Sequence, residues 1–162
     1  MSRTAALVVA TIVLALGSYA WWRSTGDEAA IERRLQELAS QVNESTSDGR
    51  GLAARAASLG AYFTEEAVIE LGRGTAEIRG RATIMDMASR LQPRTSAFRL
   101  RLTDVGVTLA AGAESAAVVL TAEFIRRGGG DDSIDAREFS LDMKKEGAEW
   151  RVARAAAVEA FR

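Results

Sequence analysis

The apolar positions of this chain change their spacing several times, and each change marks an element. From Thr4 to Trp22 the run TAALVVATIVLALGSYAWW is apolar on every side and carries no charged group. Beyond it, Ile31, Leu35, Leu38 and Val42 recur every three or four residues, the stripe of an amphipathic helix. Thr25-Gly26-Asp27-Glu28 sets a hydroxyl three residues ahead of a carboxylate, a capping box that opens this helix. The turn-rich NESTSDGRG, 43–51, separates it from a second helix, expected from Leu52 to about Phe63, with Leu52, Ala56, Leu59 and Phe63 as its stripe.

From Ala67 the period falls to two, with Ile69 and Leu71 on one face of a strand and Val68 and Glu70 on the other. Gly72 and Gly74 break it, a short run from Thr75 to Arg79 follows, and Gly80 leads into a third helix that groups Ile84, Met87, Ala88 and Leu91. Pro93, just past that helix, cannot extend it. The rest alternates as strands. Phe98, Leu100 and Leu102 oppose Arg99 and Arg101; after Thr103-Asp104 the apolar phase moves to Val105, Val107 and Leu109, the one-residue shift of a β-bulge. Val118, Leu120 and Phe124 mark a strand from about Ser115 to Arg126, and Phe139, Leu141 and Met143 mark the next, across the flexible tip 128–132. Glu146-Gly147 turns into a last strand holding Trp150, Val152 and Val158. Three long strands joined by short turns predict an antiparallel meander, and the order of helices and strands predicts an α+β domain.

The first apolar run approaches the roughly 20 residues that cross a bilayer core. Tyr19, Trp21 and Trp22 lie together at its far end, where amphipathic rings favour the headgroup region, and Arg23 follows them. Residues 1–23 are therefore expected to be a single-pass anchor in the inner (cytoplasmic) membrane. Residues 24–26 then form a short linker, and 27–162 the domain on the extracytoplasmic side. Ser18-Tyr19-Ala20 keeps open the alternative of a signal peptide, cleaved to release a secreted domain.

Composition narrows the chemistry. The 162 residues are 48% hydrophobic, enough for one domain with a sizeable core plus an appendage. A formal net charge of -1 gives no whole-chain case for nucleic-acid binding. There is no cysteine and no histidine, which removes disulfides, thiolate nucleophiles, histidine bases and the common imidazole metal sites. No metal and no cofactor is expected.

Some stretches carry a more specific signal. AYFTEEAVIEL, IRGRATI ahead of a helix and a closing GAEWRVARA, in that order and spacing, resemble the nuclear transport factor 2-like superfamily, in its ketosteroid isomerase and polyketide cyclase (SnoaL-like) branches. The resemblance covers roughly Asp27 to Arg162. It implies a cone: a curved antiparallel sheet wrapped around about three helices, with an apolar pocket at the wide end. In the ketosteroid isomerase-like members an aspartate base follows the aromatic–acid run; laid against AVIELGRG, that position falls on Leu71, which cannot take a proton. Alternation turns the neighbouring Glu70 to the other face.

No catalytic residue is assigned on this reading. Expected pocket-lining residues are Leu35, Leu38, Tyr62, Phe63, Ile69 and Leu71 in the first half, and Ile84, Met87, Phe98, Phe124, Phe139 and Trp150 in the second. Asp104 and Asp142 are candidate pocket acids, but a bulge or strand end for Asp104 and a polar strand face for Asp142 account for them better. Arg99 and Arg101, with Glu123, Glu138 and Asp142, form an expected charged ladder on the outer sheet face, the first place to look for a homodimer or an envelope partner. The leading expectation is a membrane-tethered, non-catalytic domain that binds a partner or an apolar small molecule. The alternative is a small-molecule lyase, isomerase or cyclase using Tyr62. A buried carboxylate within reach of Tyr62 favours the enzyme; a purely apolar pocket counts against it.

Overall fold

The computed structural model describes residues 26–44, 54, 57–72, 75–90, 98–126 and 133–158. The anchor reading, with Tyr19, Trp21, Trp22 and Arg23, the Thr25 cap, Leu91, Pro93 and the tip 128–132 lie outside them. No helix among the described residues is long and apolar enough to cross a membrane.

Helix α1 spans 26–43, a helical stretch α2 spans 57–60, and α3 is Arg81–Arg90. The strands are β1 (Phe63–Glu70), β2 (Ile78–Arg79), β3 (Phe98–Leu109), β4 (Ser115–Arg126), β5 (Ser133–Glu146) and β6 (Glu149–Ala157). They form one sheet in the order β2-β1-β6-β5-β4-β3. The antiparallel meander is four strands long, β3 to β6, where three were expected. The sheet is also mixed, because β1 lies parallel to β6. Such a pairing needs a long crossover, supplied here by everything between the two strands.

Two boundaries depart from the sequence reading. The second helix stops before Phe63, which opens β1 opposite Val152. Val152 N donates to Tyr62 O at 2.8 Å, so β6 captures the chain where helical spacing would carry it on. Pairing across the sheet overrides local propensity. At the other end Val158 lies beyond β6 and is 43% exposed, so it does not fill the last strand. The expected bulge is present: the β3–β4 register shifts between Thr103 and Gly106, with Asp104 at φ 52°. Aspartate tolerates this left-handed conformation better than most residues. Glu146 pairs with Glu149 across a two-residue turn, and φ 66° at Gly147 gives the II′ geometry that matches strand twist.

Helix α1 lies on the concave face of the sheet. Ile31, Leu35 and Ala39 are buried, one per turn, while Leu38 and Val42 are half-buried; the core stripe runs slightly round from the one expected. Ile31 and Leu35 pack with Val118, Leu120, Met143, Trp150 and Val152. Burying each such aliphatic side chain contributes about 1.5–3 kcal/mol. Asn43 ends the helix by pairing with one strand residue: Leu100 N donates to its Oδ1 at 2.7 Å and its Nδ2 donates to Leu100 O at 2.8 Å. Two good bonds fix the helix end against β3.

Candidate functional site

The concave face has two ends. At one, the first turn of α1 places Asp27 beside β5 and β6. Its Oδ1 accepts from Lys145 Nζ at 2.6 Å and from Trp150 Nε1 at 3.3 Å, and the Lys145 ammonium lies 5.5 Å from the Trp150 ring centre. Asp27 is 8% exposed and Trp150 3%. A carboxylate that deep needs partners to offset its desolvation, and it has a cation and an indole. An acid in the first helical turn also suits the helix dipole. This end is closed.

At the other end β4 and β5 stay paired and line an open concavity of about 480 Å³. Register places most of the side chains that reach it; Ile134, of the opposite parity and 63% exposed, also lines it at the strand end. Leu120 pairs with Phe139, Ala122 with Arg137, Phe124 with Asp135, and Arg126 with Ser133, so these pairs continue the core-facing side of β4 and β5 beyond the core. Ile69 pairs with Ala155 on β1 and β6, which brings Leu71, two residues on, to the same side. Leu71, Phe124 and Phe139 form an apolar floor, and Arg126, Ser133, Asp135 and Arg137 a polar rim. Arg137 Nε lies 3.4 Å from Asp135 Oδ2, with both side chains more than half exposed. Two other concavities of similar volume lie elsewhere, one between α2, α3 and β6 and one between α1 and β3. Neither joins aromatic side chains to the concave face, so the mouth is the better candidate.

The expected pocket residues therefore divide. Leu71, Phe124 and Phe139 meet at the mouth. Leu35, Trp150 and Ile84 are buried in the interior, and Leu38, Phe63 and Ile69 are half-buried; none of them lines the mouth. Met87 is 36% exposed on α3 and does not line the mouth. Phe98 pairs with Arg126 at the edge of the mouth, and its side chain lies outside the described residues.

Tyr62 is buried, with the Arg34 guanidinium 4.2 Å from its ring centre. Burial raises the phenol above its usual range, and the Arg34 charge works against that rise. Its contacts are with α1 and β6, and it is not among the residues of the mouth. Asp104 sits in the bulge, exposed. Asp142 is exposed 4.0 Å from Arg154 on the convex face. Neither is a pocket acid.

On the convex face Arg101 reaches Glu123 at 3.4 Å, one rung of the expected ladder. A stronger pair was missed: Arg154 donates to both Glu70 oxygens, at 3.0 and 2.9 Å. That bond holds the Glu70 carboxyl below its usual range. Glu70 thus faces away from the mouth, as alternation requires. Also missed were Asp27–Lys145 and the rim residues Asp135 and Arg137. The signal for the rim was present, since Arg137 shares parity with Phe139, but a polar residue at an inward position shows only once the sheet is seen to outrun the core.

This is the nuclear transport factor 2-like α+β fold, a curved six-stranded sheet with few helices. The chain belongs to the SnoaL-like domain family, whose model matches residues 48–156, more than half of the chain. A nuclear transport factor 2-like protein with a cystatin-like fold from Novosphingobium aromaticivorans superposes with a TM-score of 0.69 at 17% identity, covering 86% of this chain and 85% of that one. A candidate scytalone dehydratase from the same organism gives 0.67 at 14% identity, over 85% and 87%. A candidate dehydratase from Streptomyces avermitilis gives 0.66 at 11%, over 85% and 99%. A search of curated proteins finds no match.

Proposed function

We propose that the domain binds a small apolar molecule in the mouth of its cone without performing chemistry on it. One observation carries this reading: Leu71, Phe124 and Phe139 converge on an open concavity of about 480 Å³, and the strand-end position facing it from β1 is a leucine. Ligand sites of this size join apolar surface to placed polar groups, and the mouth sets Leu71, Phe124, Ile134 and Phe139 beside Arg126, Ser133, Asp135 and Arg137. The resemblance places a base at Leu71, and a leucine there supplies surface in place of a proton acceptor.

Fluorescence of N-phenyl-1-naphthylamine, a neutral apolar dye, tests this on the full chain. Saturable enhancement is expected, and Leu71→Asp should reduce it about tenfold by putting a charge against the ring. Leu71 is 42% exposed, so that substitution should leave stability within about 0.5 kcal/mol. Equal binding by both proteins would end the proposal.

A second reading, a lyase or isomerase, is favoured by Asp135, a carboxylate on the rim beside the aromatic floor, and by relatives described as candidate dehydratases. An aspartate there would act as general base. Deuterium exchange into an enolisable cyclic ketone, abolished by Asp135→Asn, would replace the binding reading with this one.

The tether belongs to the same proposal. Its support is the uncharged run from Thr4 to Trp22 and the aromatic residues that end it. In bacterial cells, full chain that stays with membranes through alkaline carbonate washing supports an anchor; release by the wash refutes it.

A further inference from the structure

The rim of the mouth carries two arginines against a single carboxylate among the described residues. Asp135 Oδ2 lies 3.4 Å from Arg137 Nε, which leaves the terminal guanidinium nitrogens outside that contact. Arg137 lies opposite Ala122 and one pair from Phe124, and both it and Phe124 line the mouth. Arg126 closes the rim two residues beyond Phe124 and has no ion pair among the described residues. Its strand partner Ser133 brings a hydroxyl and no charge. An apolar floor ending in arginine is a selective arrangement. A neutral hydrocarbon would leave both cations idle, and an amine would be repelled by them.

We infer that the ligand of this mouth is an amphipathic carboxylate, whose ring or chain lies on Leu71, Phe124 and Phe139 while its anionic end is held by Arg137 and Arg126. The inference rests on the binding reading above and adds the chemical class of the ligand. Arginine suits the task because its planar donors meet both oxygens of a carboxylate. Asp135 acts as a positioning residue: it orients Arg137 without touching the ligand.

The test compares three probes of one shape on the full chain by isothermal titration calorimetry: 2-naphthoate, 2-naphthylmethanol and 2-naphthylmethylammonium. The carboxylate should bind about tenfold more tightly than the alcohol, as expected for a charge-assisted bidentate contact partly shielded by the ligand, and the amine least tightly. Raising the salt concentration should narrow the gap, because the contact is near the surface. Arg137→Gln should cost the carboxylate most of its advantage and leave the alcohol unchanged. Asp135→Asn should also weaken the carboxylate, by removing the orientation of Arg137. Tighter binding to Asp135→Asn would show instead that Asp135 acts by repulsion, and would overturn its positioning role. Equal binding of carboxylate and alcohol, unaffected by Arg137→Gln, would overturn this inference and leave the apolar site standing. Failure of all three probes to bind would overturn both.

Discussion

Strands β4 and β5 pass through two different environments within a dozen residues. At the Met143 end their inward side chains are closed off by α1, with Met143 and Val118 essentially inaccessible and Asp27 tied to Lys145 and Trp150. At the Arg126 end the same inward face continues past the helix and meets solvent as aromatic side chains and arginines. The strand geometry is the same at both ends; the covering differs. Helix α1 starts against β5 and β6 and ends at Leu100, which pairs with Phe124, so the helix runs out where the mouth begins. One end is built for stability and the other for access.

The largest test of this contrast is packing. Trp150→Ala should destabilise by about 3–5 kcal/mol in urea unfolding of the full chain, since it removes a buried ring and leaves a cavity. Phe139→Ala should cost only about 1–2 kcal/mol, because that ring already has water on one side. Equal losses would mean that the mouth is part of the core.

The charged groups should divide in the same way. Asp27→Ala leaves Lys145 and the Trp150 N–H without their shared acceptor and should cost about 2–3 kcal/mol. Adding Lys145→Met to that variant should restore part of the loss, because the stranded cation is then gone. Asp135→Ala at the exposed rim should change stability by less than about 0.5 kcal/mol. A large effect at Asp135 would contradict the open character of that end.

How much of this division could be read from the sequence follows from which forces are local. Alternation placed Leu100, Val118, Leu141 and the Asp104 bulge, because a period of two depends only on neighbouring residues. Motif order conveyed the cone. The parallel β1–β6 pair was not visible, since strands separated by most of the chain leave no local trace. Tyr62 and Trp150 were expected at a pocket but lie under Arg34 and against Asp27; an inward residue becomes core or wall according to what covers it. Asp27 looked like part of a helix cap, and its burial depends on a lysine 118 positions away.

The smallest effect belongs to the convex face, outside both regions. Arg154 lowers the Glu70 carboxyl, so the folded state binds that proton less readily than the unfolded chain. The resulting stability is present above the ordinary carboxylate range and is lost as pH falls through the lowered value. Glu70→Gln should therefore flatten the acid limb of the stability profile slightly below about pH 4, with no change near neutrality. An unchanged acid limb would mean that the pair is not formed in solution.

The most direct measurement is a methyl NMR titration of the full chain, carbon-13 labelled at leucine and methionine, with N-phenyl-1-naphthylamine. Saturable shifts at the Leu71 methyls, with Leu35 and Met143 unmoved, are the predicted result. Shifts at Leu35 or Met143 with Leu71 unmoved would place the ligand in the sealed end and contradict the account.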